Sequence, residues 1–312
     1  MSSVGWFIGG PLMYFAAAFF VFMTAATFIK YAKLPRHLRW DLYPVPHQGP
    51  EGSKYQKVDF AGIKPHFSLF HELKEMSQEM LFIKKAYIHN PKVWLGSFPL
   101  HAGIYLGALW LVLLTVSALC ELGGIAVSGG ASSLVVRFLH FGVIITGAGG
   151  FAAGLFGSLV LLVLRIADED MRLFSDPVSF VNLALMIFLF GSSLSAWIFA
   201  DSSFSLIRHH VAGLLSFSMP TVGSGLIVLQ LTSYCAFLLY LPFSRMMHFV
   251  GKYFFYHHIL WDDEMMKRNS AMENDIATYL HYKMTWSAPH IRKDGTWVDQ
   301  VADSASKEGE KK

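Results

Sequence analysis

The stretch "FPLHAGIYLGALWLVLLTVSALC", residues 98–120, contains no Asp, Glu, Lys or Arg and a single histidine. A helix rises 1.5 Å per residue, and about 20 apolar residues cross the roughly 30 Å of bilayer hydrocarbon. This stretch is therefore read as a membrane span. Four more runs have the same character, at about 8–30, 134–165, 178–200 and 221–250. The whole chain of 312 residues is 54% hydrophobic and only 15% charged, against about 25% charge in a soluble domain. The expectation is an all-α, polytopic membrane protein built as a five-helix transmembrane bundle. Residues 1–264 form its membrane domain, with an insertion at 31–97 between the first two spans, and 265–312 form a tail.

Charge and cysteine usage exclude several classes. The net charge of +3 is small, and no Lys/Arg stripe interleaves with aromatics, so nucleic acid is not an expected partner. Cys120 and Cys235 lie in or at the ends of apolar runs and form no C-x-x-C pair. Iron–sulfur clusters, structural zinc and covalently attached haem c therefore find no ligand set. The first apolar run lacks a basic segment before it, while Lys30, Lys33, Arg36 and Arg39 follow it. It reads as an uncleaved anchor with its N-terminus outside.

Basic residues mark the side from which helices insert. Segment 31–97 carries Lys33, Arg36, Arg39, Lys54, Lys57, Lys64, Lys74, Lys84, Lys85 and Lys92, while connection 121–133 carries none. The turn 165–177 has Arg165 and Arg172, connection 201–220 has only Arg208, and the chain after Arg245 is basic again. Alternate loops are basic, which predicts the N-terminus outside and the C-terminus in the cytoplasm.

Within the insertion, "LPRHLRWDLYPVPHQGPEG" (34–52) holds four prolines and no helical period, so it reads as irregular. Residues 68–89 place Leu69, Leu73, Met76, Met80, Ile83 and Tyr87 on one helical face, and Asn90-Pro91 ends the pattern. Such a helix can lie on the membrane surface, pack against a peripheral subunit, or cover the inner end of its own bundle. Glycines crowd the third span, with Gly150 and Gly154 in a G-x-x-x-G, as Gly103 and Gly107 are in the second. Small residues let helices approach closely and can also make room for a flat cofactor. The polar terminus "SASKEGEKK" reads as disordered.

Histidines inside spans are the chemical signal, because an ionisable group at membrane depth is costly and usually has a partner. His101 opens the second span and His248 closes the fifth, so on antiparallel helices both fall within a turn or two of one boundary. Two neutral imidazoles facing each other at one level are what a low-spin haem b takes as axial ligands. A hydrogen-bonded core histidine is the competing reading for each taken singly. His140 lies in the third span, and His209 and His210 lie at the outer edge of the last connection.

At these residues the chain resembles a known family. "LPFSRMMH" (241–248) and "SFPLH" (97–101) are similar to segments of the respiratory nitrate reductase gamma-subunit family of membrane cytochromes b. The resemblance covers about residues 8–260. It implies a five-helix protein that carries haem b, exchanges electrons with quinone and passes them to a cytoplasmic iron–sulfur partner. It also implies that His248 is an axial ligand and His101 its partner. The family's second pair of ligands would fall on Leu111 and Gln230, neither of which ligates haem iron, so an outer haem is absent or held by His140 with His209 or His210. The insertion and the tail "YFFYHHILWDDE" (253–264) look more like the sulfate-reducer branch, the cytochrome b subunits of the Tmc, Hme and Dsr transmembrane complexes, with the Tmc type favoured. That branch implies a heterodisulfide-reductase-like iron–sulfur subunit, a periplasmic multihaem cytochrome c, menaquinone and the cytoplasmic (inner) membrane.

Arg245 precedes His248 by one turn and suits either a haem propionate or a snorkelling anchor. His257, His258, Trp261, Asp262 and Asp263 suit docking, or a tail folded on the bundle. A haem-free membrane anchor for redox subunits is the rival function, supported by Leu111 and Gln230. A transporter is disfavoured, since the spans show no internal repeat, no paired Gly/Pro break at mid-membrane and no central acidic residues.

Overall fold

The computed structural model describes residues 3–34, 58–59, 62–63, 68–219, 221–260, 267–289 and 291–302. Among them the secondary structure is helical, apart from two isolated bridges, Lys283 to Thr296 and Ala288 to Ile291. Five helices are long and apolar enough to cross a membrane: Ser3–Ala32, Pro91–Leu122, Leu134–Ala167, Pro177–Phe199 and Gly225–Phe243. In chain order the helices are α1 (Ser3–Ala32, with a π turn at Ile8–Leu12 around Pro11), α2 (Leu69–Leu81), α3 (Lys84–His89), α4 (Pro91–Leu122) and α5 (Leu134–Ala167). They continue as α6 (Glu169–Leu173), α7 (Pro177–Phe199), α8 (Ser205–Leu215), α9 (Gly225–Tyr240), α10 (His248–Phe255) and α11 (Ala271–Leu280).

The chain divides into two compact units, Met1–Ile29 with Phe70–Val250, and Lys30–Leu69 with Gly251–Lys312. The first is the bundle. Its tightest seam joins α4 to α5. A Cβ added at Gly103 would lie 2.4 Å from the Gly154 nitrogen, one at Gly157 would lie 2.3 Å from the Leu100 nitrogen, and one at Gly150 would lie 3.0 Å from the Gly107 nitrogen. The paired residue numbers fall on one helix as they rise on the other, so α4 and α5 are antiparallel and their backbones touch through glycine. The close-packing reading of Gly103, Gly150, Gly154 and Gly157 is the one the structure realises.

Further contacts close the bundle. The Phe190 ring of α7 fills the space beside Gly154. Ser192 of α7 and Ser233 of α9 are hydrogen-bonded at 2.8 Å, and the Tyr240 hydroxyl donates to Asn182 at 2.9 Å. These pairs again run antiparallel. α1 lies parallel to α9, with Cys235 next to Ile8 and Phe243 beside Phe19, as first and fifth spans should. Short Ser and Thr hydroxyls inside the helices bond back to a carbonyl one turn earlier, as Ser117, Ser158 and Ser193 do, so they cost little in an apolar interior. The core is Trp110, Leu114, Val143, Phe151, Met186, Phe190, Phe204 and Ile227. Large apolar side chains also cover the outside, among them Phe22, Val112, Val135, Phe138, Ile145 and Phe199. An outside as apolar as the core belongs in lipid.

Two helices differ from the sequence reading. The fifth span was expected to continue to residue 250. Instead α9 ends at Tyr240, 3-10 turns follow at Leu241–Phe243 and Arg245–Met247, and His248 starts a new helix. Pro242 has no N–H to give the α-helical ladder. Ser244 is extended (φ −97, ψ 163), with its hydroxyl accepting from the Met246 amide. The amphipathic stretch 68–89 breaks at Ile83, whose φ of 51 is left-handed. Its apolar face also points outward: Leu69, Phe70, Leu73, Met80 and Leu81 are exposed, while Glu72 and Glu79 are 8% and 4% exposed. It does not cover the bundle end with its apolar side.

In the second unit α11 begins with a reciprocal side-chain cap, a variant of the capping box. The Ser270 hydroxyl accepts from the Glu273 amide, and the Glu273 carboxylate accepts from the Asn269 amide. After α11 the chain turns back on itself, with the Met284 and Asp294 amides bonded to the Gly295 and Met284 carbonyls, and Gln300 bonded to Arg292 in both directions. Residues 267–289 and 291–302 of the tail are thus organised. The irregular stretch 34–52, save Leu34, and the terminus after residue 302 lie outside the described residues.

Candidate functional site

His101 sits in the third turn of α4 and His248 at the first position of α10. Their ring centres are 6.1 Å apart, with the planes at 66°. The depth match expected from residue counting is realised as direct ring contact. Each ring is held by its own chain: Nδ1 of His101 is 2.7 Å from the Ser97 carbonyl, and Nδ1 of His248 is 3.1 Å from the Arg245 carbonyl. A carbonyl can only accept, so a neutral imidazole held in this way carries its proton on Nδ1. A backbone carbonyl on Nδ1 is also how proteins orient metal-binding imidazoles. His101 is half-buried and His248 exposed.

Arg245 has a partner that the sequence reading missed. Its Nη2 lies 2.6 Å from Oδ2 of Asp176. Asp176 caps α7, accepting from the Ser179 amide at 3.0 Å and the Ser179 hydroxyl at 2.7 Å. These bonds, and then the Arg245 charge, hold its carboxyl below the usual carboxylate range. The Asp-Pro step at 176–177 is a helix-start signal, but nothing local marks Arg245 as its partner.

At the other end of the bundle, the three histidines proposed for an outer haem turn to different neighbours. His209 bonds through Nδ1 to Glu121 at 2.8 Å, and Arg208 donates to the same carboxylate at 3.1 Å. His210 is 4% exposed and packs against Gly9 of α1, with neither nitrogen in hydrogen-bond geometry although the Gly9 carbonyl is near. Burial is the larger effect and lowers its pKa. His140 lies against Phe141 and Gly129. A half-open cavity of about 420 Å³ lies beside His209 and His210, lined also by Leu206, Val222, Ser224 and Ile227.

Between the two ends the core is filled by aromatics. Trp110 packs at 5.1 Å from Phe151, 5.3 Å from Phe204 and 6.3 Å from Tyr234. Leu111 points outward, and Gln230 is buried. Among the described residues no three His, Cys, Asp or Glu side chains converge as a metal-holding group. In the second unit His257 lies tilted against Tyr253 and His258 edge-on to Phe254, with ring centres 4.5 and 5.2 Å apart. Trp261, Asp262 and Asp263 lie outside the described residues. Compared with protein-family models, curated proteins and solved structures, the chain matches none.

Proposed function

We propose that this chain is the membrane cytochrome b subunit of a respiratory electron-transfer complex, holding one haem b between His101 and His248. The supporting observation is the pair itself: two imidazoles with ring centres 6.1 Å apart, each with Nδ1 on a backbone carbonyl of its own segment, the kind of support that orients ligand histidines. Two donors without a third suit a metal that brings its own equatorial ligands, as haem iron does. When bound, the haem supplies one-electron chemistry. The chain's own residues orient the imidazoles through Ser97 and Arg245, keep the site at the bundle's edge and seal the rest of the core with Trp110, Phe151, Phe204 and Tyr234.

In this reading the basic-loop pattern puts the N-terminus outside and the C-terminus in the cytoplasm, in the cytoplasmic (inner) membrane of a bacterium. Electrons pass between menaquinone or a periplasmic multihaem cytochrome c and a cytoplasmic, heterodisulfide-reductase-like iron–sulfur subunit, as the resemblance to the nitrate reductase gamma-subunit family and its sulfate-reducer branch implies. Arg245 is one turn from His248 and already bonded to Asp176, so a propionate would share that guanidinium. An outer haem on His140 with His209 or His210 is not part of this reading, which rests on the His101–His248 pair, the two histidines whose rings meet.

A pyridine haemochrome assay on the purified chain tests it. One haem per chain is expected, and His101→Ala and His248→Ala should each lose it. No haem in the unaltered chain would refute the reading in favour of a haem-free anchor subunit. Full haem retention by His248→Ala would refute the ligation.

A further inference from the structure

α2 is inside out for a helix beside a protein in water. Its carboxylates Glu72 and Glu79 are buried, Glu79 accepting from the Lys85 amide at 3.1 Å, while Phe70 is 71% exposed and Leu69, Leu73, Met80 and Leu81 are exposed on the opposite side. The apolar surface continues through Phe82, Tyr87 and Ile88 to the start of α4. Acidic side chains are rarely buried, and an exposed apolar stripe of this length signals an occupant.

Depth says which one. The end of α2 is fastened to α4 by two hydrogen bonds: the Tyr105 hydroxyl donates to the Met80 carbonyl at 2.6 Å, and Trp94 Nε1 donates to the Phe82 carbonyl at 2.8 Å. Phe82 also stacks on Phe98, and Phe98 on Trp94. α4 has 32 residues, so it is roughly 48 Å long and exceeds the hydrocarbon core by about 18 Å. Tyr105 stands roughly 21 Å along α4 from Pro91. Even with all the excess on that side, Tyr105 reaches the hydrocarbon edge, and it brings the Met80 end of α2 to that level. Ile104 and Leu109 are outward-facing on the same helix, so the outer face of α2 is continuous with the lipid-facing surface of the span. Trp94 stands roughly 17 Å nearer the Pro91 end than Tyr105, so indole and phenol bracket the end of α2 as such groups do at a membrane interface, and exposed Lys74 and Lys92 flank the apolar face.

We propose that α2 is an interfacial helix embedded in the phospholipid leaflet on the His101 side, with Leu69, Phe70, Leu73, Met80 and Leu81 against acyl chains. It thereby widens the foot of the bundle at the level of the histidine pair and fixes how deep α4 sits. This does not depend on haem.

The test uses the unaltered chain alone in nanodiscs of phosphatidylcholine and phosphatidylglycerol, doped with a phospholipid that carries a diazirine on its acyl chain. After photolysis, mass spectrometry should find adducts on peptide 69–82 comparable to those around Leu111 and Val112, which are outward-facing on α4. Parallel hydroxyl-radical footprinting should leave Phe70 and Met80 unoxidised. Oxidation there without adducts would put the face in water, awaiting a soluble partner, and neither mark would put protein over it. Either result overturns the proposal, provided the peptide with Leu111 is labelled.

Discussion

Gly103 and Gly107 form one G-x-x-x-G in α4, and the structure assigns them opposite roles. A Cβ at Gly103 would stand 2.4 Å from the Gly154 nitrogen, 2.5 Å from its Cα and 2.7 Å from the Gly150 carbonyl oxygen, whereas one at Gly107 meets nothing within 4 Å. Carbon contacts prefer about 3.5–4.0 Å, so Gly103→Ala must push α4 and α5 apart by roughly 1 Å. Overpacking of this kind costs about 1–3 kcal/mol, and the upper part of that range applies because the neighbour is backbone and cannot rotate away. Alanine recovers about 0.8–1.0 kcal/mol of helix propensity, which leaves a net loss of about 1–2 kcal/mol. Gly107→Ala keeps only the propensity gain and should be neutral or stabilising by up to about 1 kcal/mol. The two variants should therefore differ by about 2–3 kcal/mol, read as unfolding midpoints in SDS titration of mixed micelles by circular dichroism. Gly103→Ala, two residues from His101, should also lower haem occupancy, while Gly107→Ala should not. Equal midpoints, or a greater loss at Gly107, would refute the glycine seam as the structure has it.

Further outcomes follow from the polar contacts. Removing both hydroxyls of the Ser192–Ser233 pair in a double-mutant cycle should give a coupling of about 0.6 kcal/mol, the usual value for a hydrogen bond between membrane helices; none would mean that the two hydroxyls do not meet. Asp176→Ala should weaken the start of α7 more than Arg245→Gln does, since Asp176 caps the helix and also pairs with the arginine, and hydrogen exchange at the Ser179 amide reads the difference. The Asp176 pKa is lowered in the fold, so its contribution is complete above the ordinary carboxylate pKa and is lost as pH falls through the depressed value. The His210 pKa is also lowered, from 6.5. The native state then binds fewer protons than the unfolded one, so stability is full above that value and declines as pH drops below it. His210→Phe should flatten the unfolding midpoint between about pH 7 and 5.

What could be read from the sequence follows from how each feature is encoded. Apolar run length located five spans, because crossing hydrocarbon is a one-dimensional requirement. Counting rise from the boundaries put His101 and His248 at one level, and the rings do meet. Features that depend on which side of a helix faces which neighbour were not legible. Gly103 and Gly107 look alike until α5 is in place. Arg245 had two readings, and its ion pair with Asp176 was neither, because that partner is distant in sequence. Periodicity found the apolar face of α2 without saying that it turns outward, since the same stripe serves a helix packed on protein and one lying in lipid. The break at Ser244 was marked by Pro242, yet hydropathy alone runs straight through it. That break puts His248 at the first position of a helix of its own, with its Nδ1 on the Arg245 carbonyl. Had α9 run on unbroken to residue 250, the ring's direction would be set by the span's packing against α7 and α1. Because it does not, the proline and the serine set the second imidazole's orientation, which makes Pro242 and Ser244 as much a part of the candidate site as the histidine they precede.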